Sequence, residues 1–207
     1  TIARIVSRMM KACGILKQGQ LVEVTRADLV GKYVGHTAPL TMNVINSALG
    51  GVLFIDEAYS LYRGKDDSFG LEAIDTLVKG MEDHRDDLIV ILAGYSKEME
   101  EFLTANSGLK SRFANIIHFD DYTGEEMILI AKSIAKSKGY YIADELTKPL
   151  TDYFTIIQGK GDPNSGNGRL ARNKVEEAIL KQSKRLLDNP DDDISELKLM
   201  DFNLNEK

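Results

Sequence analysis

Two adjacent carboxylates, Asp56 and Glu57, follow an apolar run at residues 52–55 that is typical of a strand buried inside a parallel sheet. Ligand sites in open α/β sheets lie at the carboxyl ends of the strands, which is where these acids would stand. Asp56 could hold the water shell of a Mg²⁺ ion, and Glu57 could orient or deprotonate an attacking water. Two acids at a strand end also occur in a plain solvated turn or at a helix N-terminus, so the pair alone leaves both interpretations open.

The residues around the acid pair predict alternating strands and helices, and hence a parallel α/β sheet. Strands are expected at 21–25, 52–56, 88–93 and 116–119. Helices are expected at 2–13, 37–49 and 97–104, and one more where Leu71, Ile74, Val78 and Met81 recur at steps of three and four. The first helix should bury an apolar stripe made of Ile2, Ile5, Val6, Met9, Met10 and Cys13.

The pattern changes after residue 119. Residues 120–122 have the character of a linker, and Thr123 with Glu126 forms a capping box that opens a helix. From there only helices are expected, at 124–138, 144–158 and 168–187. The chain should therefore comprise an α/β core over residues 1–120, a small all-helical domain over 121–187, and an acidic, loosely held tail over 188–207.

Composition narrows the class of protein and its partners. The 207 residues carry 26 Lys and Arg against 32 Asp and Glu, a net charge of −6, so no global positive field favours nucleic acid. The one cysteine, Cys13, cannot form an internal disulfide, which favours a reducing, cytoplasmic setting, and we expect it to be an inert core thiol. The longest apolar runs, 51–55 and 88–94, are far shorter than the ~20 residues that cross a bilayer, so no membrane segment is expected.

Taken in order, the motifs of this sequence resemble those of the AAA+ ATPases, and within them the group of CbbX, SpoVK and EccA. That group includes red-type Rubisco activases, a sporulation protein and a type VII secretion ATPase. The resemblance runs from Thr1 to about Leu187 and rests on segments 1–4 (TIAR), 27–37 (ADLVGKYVGHT), 56–57, 92–95 (LAGY), 108–113 (GLKSRF) and 166–169 (GNGR). It implies an AAA+ parallel sheet with flanking helices, followed by a small all-helical lid domain.

The resemblance also implies roles for charged residues. It makes Asp56 and Glu57 the Walker B pair, with Asp56 acting through Mg²⁺ and Glu57 positioning the water that attacks the γ-phosphate of ATP. Arg112 matches the arginine finger that reaches a nucleotide held by the neighbouring subunit, the alternative being a surface arginine paired with a nearby acid. Arg169 matches sensor 2, which contacts the phosphates of its own subunit, and Arg172 is a weaker candidate. Either of these two could instead be a solvated arginine on a capped helix.

A glycine-flanked loop between a strand and a helix carries Lys32, Tyr33, Val34 and Gly35. In the family this is pore loop 1. A ring of such tyrosines, one per subunit, can grip an extended polypeptide through apolar contact without reading its sequence. The alternative is that Tyr33 packs beneath its own loop.

The sequence departs from the family pattern in two places. The sensor 1 place, where Asn or a hydroxyl residue is common, holds Gly94 and Tyr95, to which we assign no role. No G-x-x-x-x-G-K-[ST] loop (Walker A) occurs in the 207 residues, although in the family it stands immediately before the first helix. Thr1 would then be the threonine of that loop or the residue after it. Because the loop cradles the β- and γ-phosphates, we expect these residues alone to be inactive. They would then belong to a longer protein that also supplies the preceding strand of the sheet, the alternative being that a neighbour or a shifted pairing replaces that strand.

The sequence therefore predicts an ATP-hydrolysing subunit of a hexameric ring that remodels or threads a protein partner, with ATP and Mg²⁺ as cofactors. An arginine finger given in trans makes sense only where subunits meet, and a simple nucleotide switch would not need the Tyr33 loop. One alternative is a non-catalytic assembly module. Another is a DNA-acting AAA+ loader, which the net charge and the lack of a dense Lys/Arg stripe disfavour. Rubisco activation, sporulation and secretion remain equally open as the process served.

Overall fold

A computed structural model describes residues 2–159 and 166–204, which divide into two units between His118 and Phe119. The first unit contains a parallel sheet whose strands are β1 (Leu21–Val24), β2 (Gly51–Ile55) and β3 (Leu88–Leu92), in the order β1-β2-β3. In this register Val24 lies opposite Ile55, and Ile55 opposite Leu92. All three carboxyl ends therefore meet at one edge of the sheet, as the apolar runs in the sequence predicted.

Helices flank this sheet and bury its faces. They are α1 (Ile2–Ala12), α2 (Arg26–Leu29), α3 (Thr37–Ala48), α4 (Ser68–Asp83), α5 (Ser96–Ala105) and α6 (Ser107–Arg112), with a 3₁₀ helix at Ala58–Leu61. The side chains fully excluded from water include Leu29, Ile45, Leu53, Ile55, Ile74 and Leu77. Each such burial contributes about 1.5–3 kcal/mol, so the sheet provides a firm base for the turns at its edge.

Helix α1 is present as predicted, but its predicted buried stripe is wrong. Ile2, Ile5 and Met9 are exposed, whereas Ala3 and Ser7 are buried. The two small residues let the helix approach the sheet, and the Ser7 hydroxyl donates to the carbonyl of Gly19. Cys13 is also exposed, because it lies just past the end of the helix, so the expectation of a core thiol is wrong as well.

The strand expected at 116–119 is another incorrect prediction, since residues 113–123 form no helix or strand. Ile116, Ile117 and Phe119 are all exposed. An apolar run becomes a strand only when a neighbour pairs with its backbone, and within the described residues no strand pairs with this segment.

The second unit packs helices α7 (Gly124–Ser137), α8 (Thr147–Gly159) and α9 (Asn167–Asp188) around Met127, Leu150, Phe154 and Val175. The capping box of Thr123 and Glu126 is formed as predicted, with the Glu126 carboxylate accepting from the Thr123 backbone N–H at 2.9 Å. Among the helices in the described ranges, none is long and apolar enough to cross a membrane.

Residues 188–204 are not the loosely held tail that the sequence suggested. Strand β4 (Tyr141–Ile142) pairs in parallel with β5 (Glu196–Leu197), which corrects the expectation that this region contains only helices. Leu197 and Phe202 are buried. The buried Arg185 donates through Nε and Nη2 to the Asp201 carboxylate, both at 3.0 Å, so acids of this segment bind an arginine instead of facing solvent.

Candidate functional site

The turn after β2 is held on both sides by backbone hydrogen bonds. The N–H of Asp56 donates to the carbonyl of Val24, at 2.9 Å, which extends the pairing with β1 by one residue. On the other side, Ala93 donates to Ile55 and Ala58 donates to Ala93, both at 2.9 Å. The two predicted catalytic acids therefore project from a turn that is anchored to both neighbouring strands.

Glu57 adopts a left-handed backbone conformation, with φ +47° and ψ +47°. For a residue with a Cβ this conformation costs about 1–3 kcal/mol and is typical of functional sites. The Asp56 carboxylate accepts a hydrogen bond from the Glu57 N–H at 3.1 Å, and the Glu57 carbonyl accepts from Ser60 at 2.8 Å, opening the 3₁₀ helix. Both acids are exposed, so their carboxylates are available to a ligand.

A cavity of about 400 Å³ adjoins these acids. Its lining consists of Thr25, Arg26, Ala27, Val30, Asp56, Glu57, Ser60 and Arg63. Two arginines, Arg26 and Arg63, therefore line the same cavity as the two acids.

An aromatic pair stands next to the acids at the end of β3. The rings of Tyr59 and Tyr95 lie 6.3 Å apart, centroid to centroid. Gly94 permits this approach, because a Cβ there would fall 2.7 Å from Cδ1 of Tyr59. Burial, and then the negative charge of Glu57, raise the pKa of the Tyr59 hydroxyl above its ordinary value. The sensor 1 place thus holds a glycine and a tyrosine, and the Tyr59 and Tyr95 rings form an aromatic surface beside the turn that carries Glu57.

The Tyr33 loop is exposed and firmly closed at its base. Tyr33 is 68% exposed and Val34 88%, so Tyr33 does not pack beneath its own loop. Lys32 and Gly35 are exposed too. At the base, the N–H of Gly31 donates to the hydroxyl of Thr37 at 3.1 Å. The backbone therefore presents an aromatic side chain to solvent from a fixed support.

Arg112 occupies the last position of α6 and is paired within the chain. It donates to Glu82 at 3.0 Å and to the carbonyl of Gly108 at 3.3 Å, which matches the alternative of a surface arginine beside an acid. Glu82 lies at the far end of the 16-residue helix α4, whose first turn packs near the 3₁₀ helix after Glu57. At 1.5 Å per residue, roughly 20 Å separates the two ends of α4. The structure therefore does not bring Arg112 to the Glu57 of its own chain.

Asn167, to which sequence reasoning gave no separate role, organises the segment that carries Arg169. Its Oδ1 accepts from the backbone N–H of Tyr122 at 2.9 Å and from Gln158 at 3.0 Å, and its Nδ2 donates to Asp121. Like Glu57 it has a positive φ, +38°. These contacts fix the first turn of α9 to the segment at 121–122. Arg169 lies in that first turn of α9, and its side chain is exposed.

The contacts within the chain assign no role to two further candidates, Arg172 and Thr1. Arg172 is exposed one turn along α9, as a solvated arginine would be. Thr1 lies outside the described residues.

Arg26 is a largely buried residue near the acids that the sequence did not single out. Its Nη1 donates to the carbonyls of Ser60 at 2.9 Å and Leu61 at 3.0 Å, and its Nη2 donates to Asp67 at 3.0 Å. The side chains of Arg26 and Asp67 are 16% and 13% exposed. Asp67 also caps α4, accepting from the N–H of Gly70 at 3.1 Å. The contacts lie 34 to 41 residues apart in the chain, so no local spacing signals them.

Comparison with known proteins finds relatives over nearly the whole chain. The family "ATPase family associated with various cellular activities (AAA)" matches residues 1–121, and the "AAA lid domain" family matches residues 123–207. The chain is 47% identical over 188 residues to stage V sporulation protein K of Bacillus subtilis (strain 168), which covers 90% of this chain and 58% of that protein. It is 42% identical over 201 residues to the chloroplastic ribulose bisphosphate carboxylase/oxygenase activase of Cyanidioschyzon merolae, covering 97% and 68%. Over 187 residues it is 44% identical to protein CbbX of Cereibacter sphaeroides, covering 90% and 60%.

Solved structures show the same fold. The crystal structure of the FIGL-1 AAA domain superposes with a TM-score of 0.63 and 20% sequence identity, covering 87% of this chain and 59% of that one. At that identity the likeness concerns the fold alone. The chain spans about 58% of the length of the sporulation protein, so it corresponds to part of that relative.

The ion pair between Arg26 and Asp67 makes a pH-dependent contribution to stability that can be measured. The hydrogen bond from Arg26 lowers the pKa of Asp67 below its ordinary 3.8. Stabilisation from this carboxylate is therefore complete above pH 3.8 and disappears as the pH falls through the lower folded-state pKa. Asp67→Asn should lower the free energy of unfolding by about 2 kcal/mol at neutral pH, with the difference from wild type closing in acid.

Urea titrations monitored by circular dichroism at a series of pH values would check this. The matched control is Asp66→Asn, since Asp66 is the exposed neighbour and should leave stability near wild type. A gap between Asp67→Asn and wild type that stays constant through the acid range would contradict the ion pair.

Proposed function

The chain belongs to the AAA family of ATPases, as its motifs indicated, and on that premise we propose that it is an ATP-hydrolysing ring subunit that remodels or threads a protein partner. The observation that carries the proposal is the strained turn after β2, where Asp56 and Glu57 stand exposed side by side. Phosphoryl transfer depends on positioning and charge stabilisation more than on covalent chemistry, and a pre-formed acid pair supplies the positioning.

In this proposal Asp56 would hold a Mg²⁺ ion through water, and Glu57 would orient the attacking water and take up its proton. Bound Mg²⁺ would neutralise charge on the phosphates of ATP. The residues fit such an ion: Mg²⁺ is commonly held by one or two carboxylates together with water and substrate phosphates. Within the described ranges, no group of three or more His, Cys, Asp or Glu is placed to hold a metal ion.

Arg112 is proposed to act on the nucleotide of a neighbouring subunit. Its distance from Glu57 of its own chain, roughly the length of α4, supports a role in trans. The ion pair with Glu82 is partly accessible to solvent, since the Arg112 side chain is 31% exposed. Ion pairs at the surface contribute about 0–1 kcal/mol to stability. The guanidinium can therefore exchange Glu82 for a phosphate at low cost when subunits meet.

The phosphates are proposed to meet two more residues. Arg169, exposed at the start of α9, would contact them as sensor 2, and Asn167 would hold the turn from which it projects. Thr1 would lie at the phosphate-binding loop. The matched relatives are longer than this chain, so the activity is proposed for the full-length protein.

The partner is proposed to be a polypeptide held by the Tyr33 loop in the centre of a hexameric ring. An aromatic side chain that is 68% exposed on a fixed loop provides apolar contact without sequence selectivity. One relative is named as an activase of another enzyme, and another as a sporulation protein, so relatives alone do not select the client. With one cysteine in 207 residues, the cytoplasm is the proposed location.

Replacing the proposed water-orienting acid should separate binding from hydrolysis. In the full-length protein, Glu57→Gln should lower the rate of ATP hydrolysis by about 100-fold or more, because a carboxamide cannot accept the proton of the attacking water. ATP binding should persist, leaving rings trapped with ATP, which size-exclusion chromatography with analysis of bound nucleotide would detect. Glu98→Gln, in the first turn of α5, is a matched control that should hydrolyse ATP normally. Normal turnover in Glu57→Gln would exclude this role, and absent turnover in wild type would favour a non-catalytic assembly module.

The Tyr33 loop should determine how much substrate is unfolded per ATP hydrolysed. The substrate to use is a folded fluorescent domain fused to an unstructured peptide tail, with loss of fluorescence as the readout. Tyr33→Ala should lower the ratio of unfolding rate to hydrolysis rate at least tenfold, because the side chain that grips the tail is gone. Tyr33→Phe keeps the aromatic ring and should restore the ratio. An unchanged ratio in Tyr33→Ala would remove the threading idea.

A further inference from the structure

Helix α2 links the exposed Tyr33 loop to the interior of the first unit. It has only four residues, Arg26–Leu29, too few to be stable alone, so its position depends on its contacts. At its start, the Asp28 carboxylate accepts from both the N–H and the hydroxyl of Thr25, each at 2.9 Å. At its end, Leu29 is fully buried and its carbonyl accepts from Thr41 at 2.8 Å. These contacts hold α2 in a fixed position at the base of the Tyr33 loop.

The side chain of Arg26 extends from α2 to the turn that carries Glu57. Its two carbonyl acceptors, Ser60 and Leu61, end the 3₁₀ helix that Glu57 begins. Carbonyls at a helix end lack partners within the helix and need an outside donor. Since Ser60 is only three positions after Glu57, the place of these carbonyls constrains the strained conformation of Glu57.

Gly70 closes the third side of this contact. A Cβ at this position would fall 2.1 Å from the carbonyl oxygen of Leu61 and 2.9 Å from Nη1 of Arg26. Glycine in a helix costs about 1 kcal/mol relative to alanine, so its presence in the first turn of α4 has a packing reason. The first turn of α4, the 3₁₀ helix and α2 therefore meet at one guanidinium group.

We propose that Arg26 is a positioning residue that couples the Tyr33 loop to Glu57, so that load on the loop alters the geometry of the catalytic turn; this inference rests on the proposed function. Arg26 itself need not touch the nucleotide. Its planar guanidinium donates to two carbonyls and a carboxylate at the same time. The ammonium group of lysine has a different geometry and cannot donate to all three in the same arrangement. A shift of α2 would pull on the carbonyls of Ser60 and Leu61 and thereby on the turn.

Steady-state kinetics of the full-length protein test the catalytic half of the proposal. Arg26→Lys keeps the charge but loses the fork, and it should lower kcat for ATP hydrolysis tenfold or more while the Kd for ATP stays within twofold. Gly70→Ala should shift kcat in the same direction, because the added methyl displaces the guanidinium without removing it. The matched control is Gly159→Ala, where an added Cβ meets nothing within 4 Å.

Hydrogen exchange of the same proteins tests the coupling independently of enzymology. Gly70 lies beside the Arg26 guanidinium, where an added Cβ would fall 2.9 Å from Nη1, yet Gly70→Ala should speed exchange at least tenfold at Val30 and Gly31. The amide of Val30 donates to the backbone carbonyl of Arg26, and the amide of Gly31 donates to the hydroxyl of Thr37. A purely local effect would confine the change to residues 58–70. Because this readout needs no turnover, it decides the coupling even if wild type hydrolyses no ATP, an outcome that would overturn the proposed function alone.

A fall in kcat with preserved ATP affinity, together with faster exchange at residues 30–31, supports the coupling. Unchanged kcat in an active protein, equal losses of kcat and ATP affinity, or exchange confined to residues 58–70 would each overturn it. If Gly70→Ala does not fold, Arg26→Lys decides by the same measurements.

Discussion

Backbone hydrogen bonds that continue past the last residue of β2 constrain the acid pair, and the proposed chemistry depends on that constraint. Ile55 and Ala58 both bond to Ala93, so the chain must turn sharply between them. Glu57 takes up the turn in a left-handed conformation that an ordinary residue adopts only where its surroundings enforce it. The result is two exposed carboxylates whose backbone is fixed before any ligand arrives, which is the preorganisation that catalysis by positioning requires.

Arginines with little exposure to solvent hold the irregular segments in both units. In the first unit, Arg26 bonds to the carbonyls of Ser60 and Leu61 and to the Asp67 carboxylate, joining α2 to a segment more than 30 residues along the chain. In the second, Arg185 bonds to the carbonyl of Glu196 at 3.1 Å and to Asp201, anchoring the segment that contains β5. A guanidinium suits this task because it serves several acceptors from one rigid plane, whereas short helices and turns have few internal bonds of their own.

The sequence predicted the elements whose signals are local. Strands β1 to β3 are short apolar runs, and the capping box of Thr123 and Glu126 is a fixed spacing, so each was located to within about one residue. The strand expected at 116–119 failed because strand formation depends on a partner that periodicity does not reveal. The predicted stripe of α1 was wrong because small residues, not the largest apolar ones, face the sheet, and the prediction for Cys13 was wrong because this residue lies just past the end of the helix. At the site, Asp56 and Glu57 were evident, but the contacts of Arg26 span more than 30 residues and left no pattern to find.

The central claim is that Glu57 and Arg112 serve one ATP site from different subunits, and mixed rings test it most directly. Full-length Glu57→Gln and Arg112→Ala should each be nearly inactive alone, since every interface then lacks one of the two groups. Mixed in equal amounts and allowed to exchange, they form some interfaces with Glu57 from one subunit and Arg112 from the next, roughly a quarter if assembly is random. The account predicts that ATP hydrolysis reappears on mixing, up to about that fraction of wild type. Mixed rings that stay as inactive as the separate variants would contradict it.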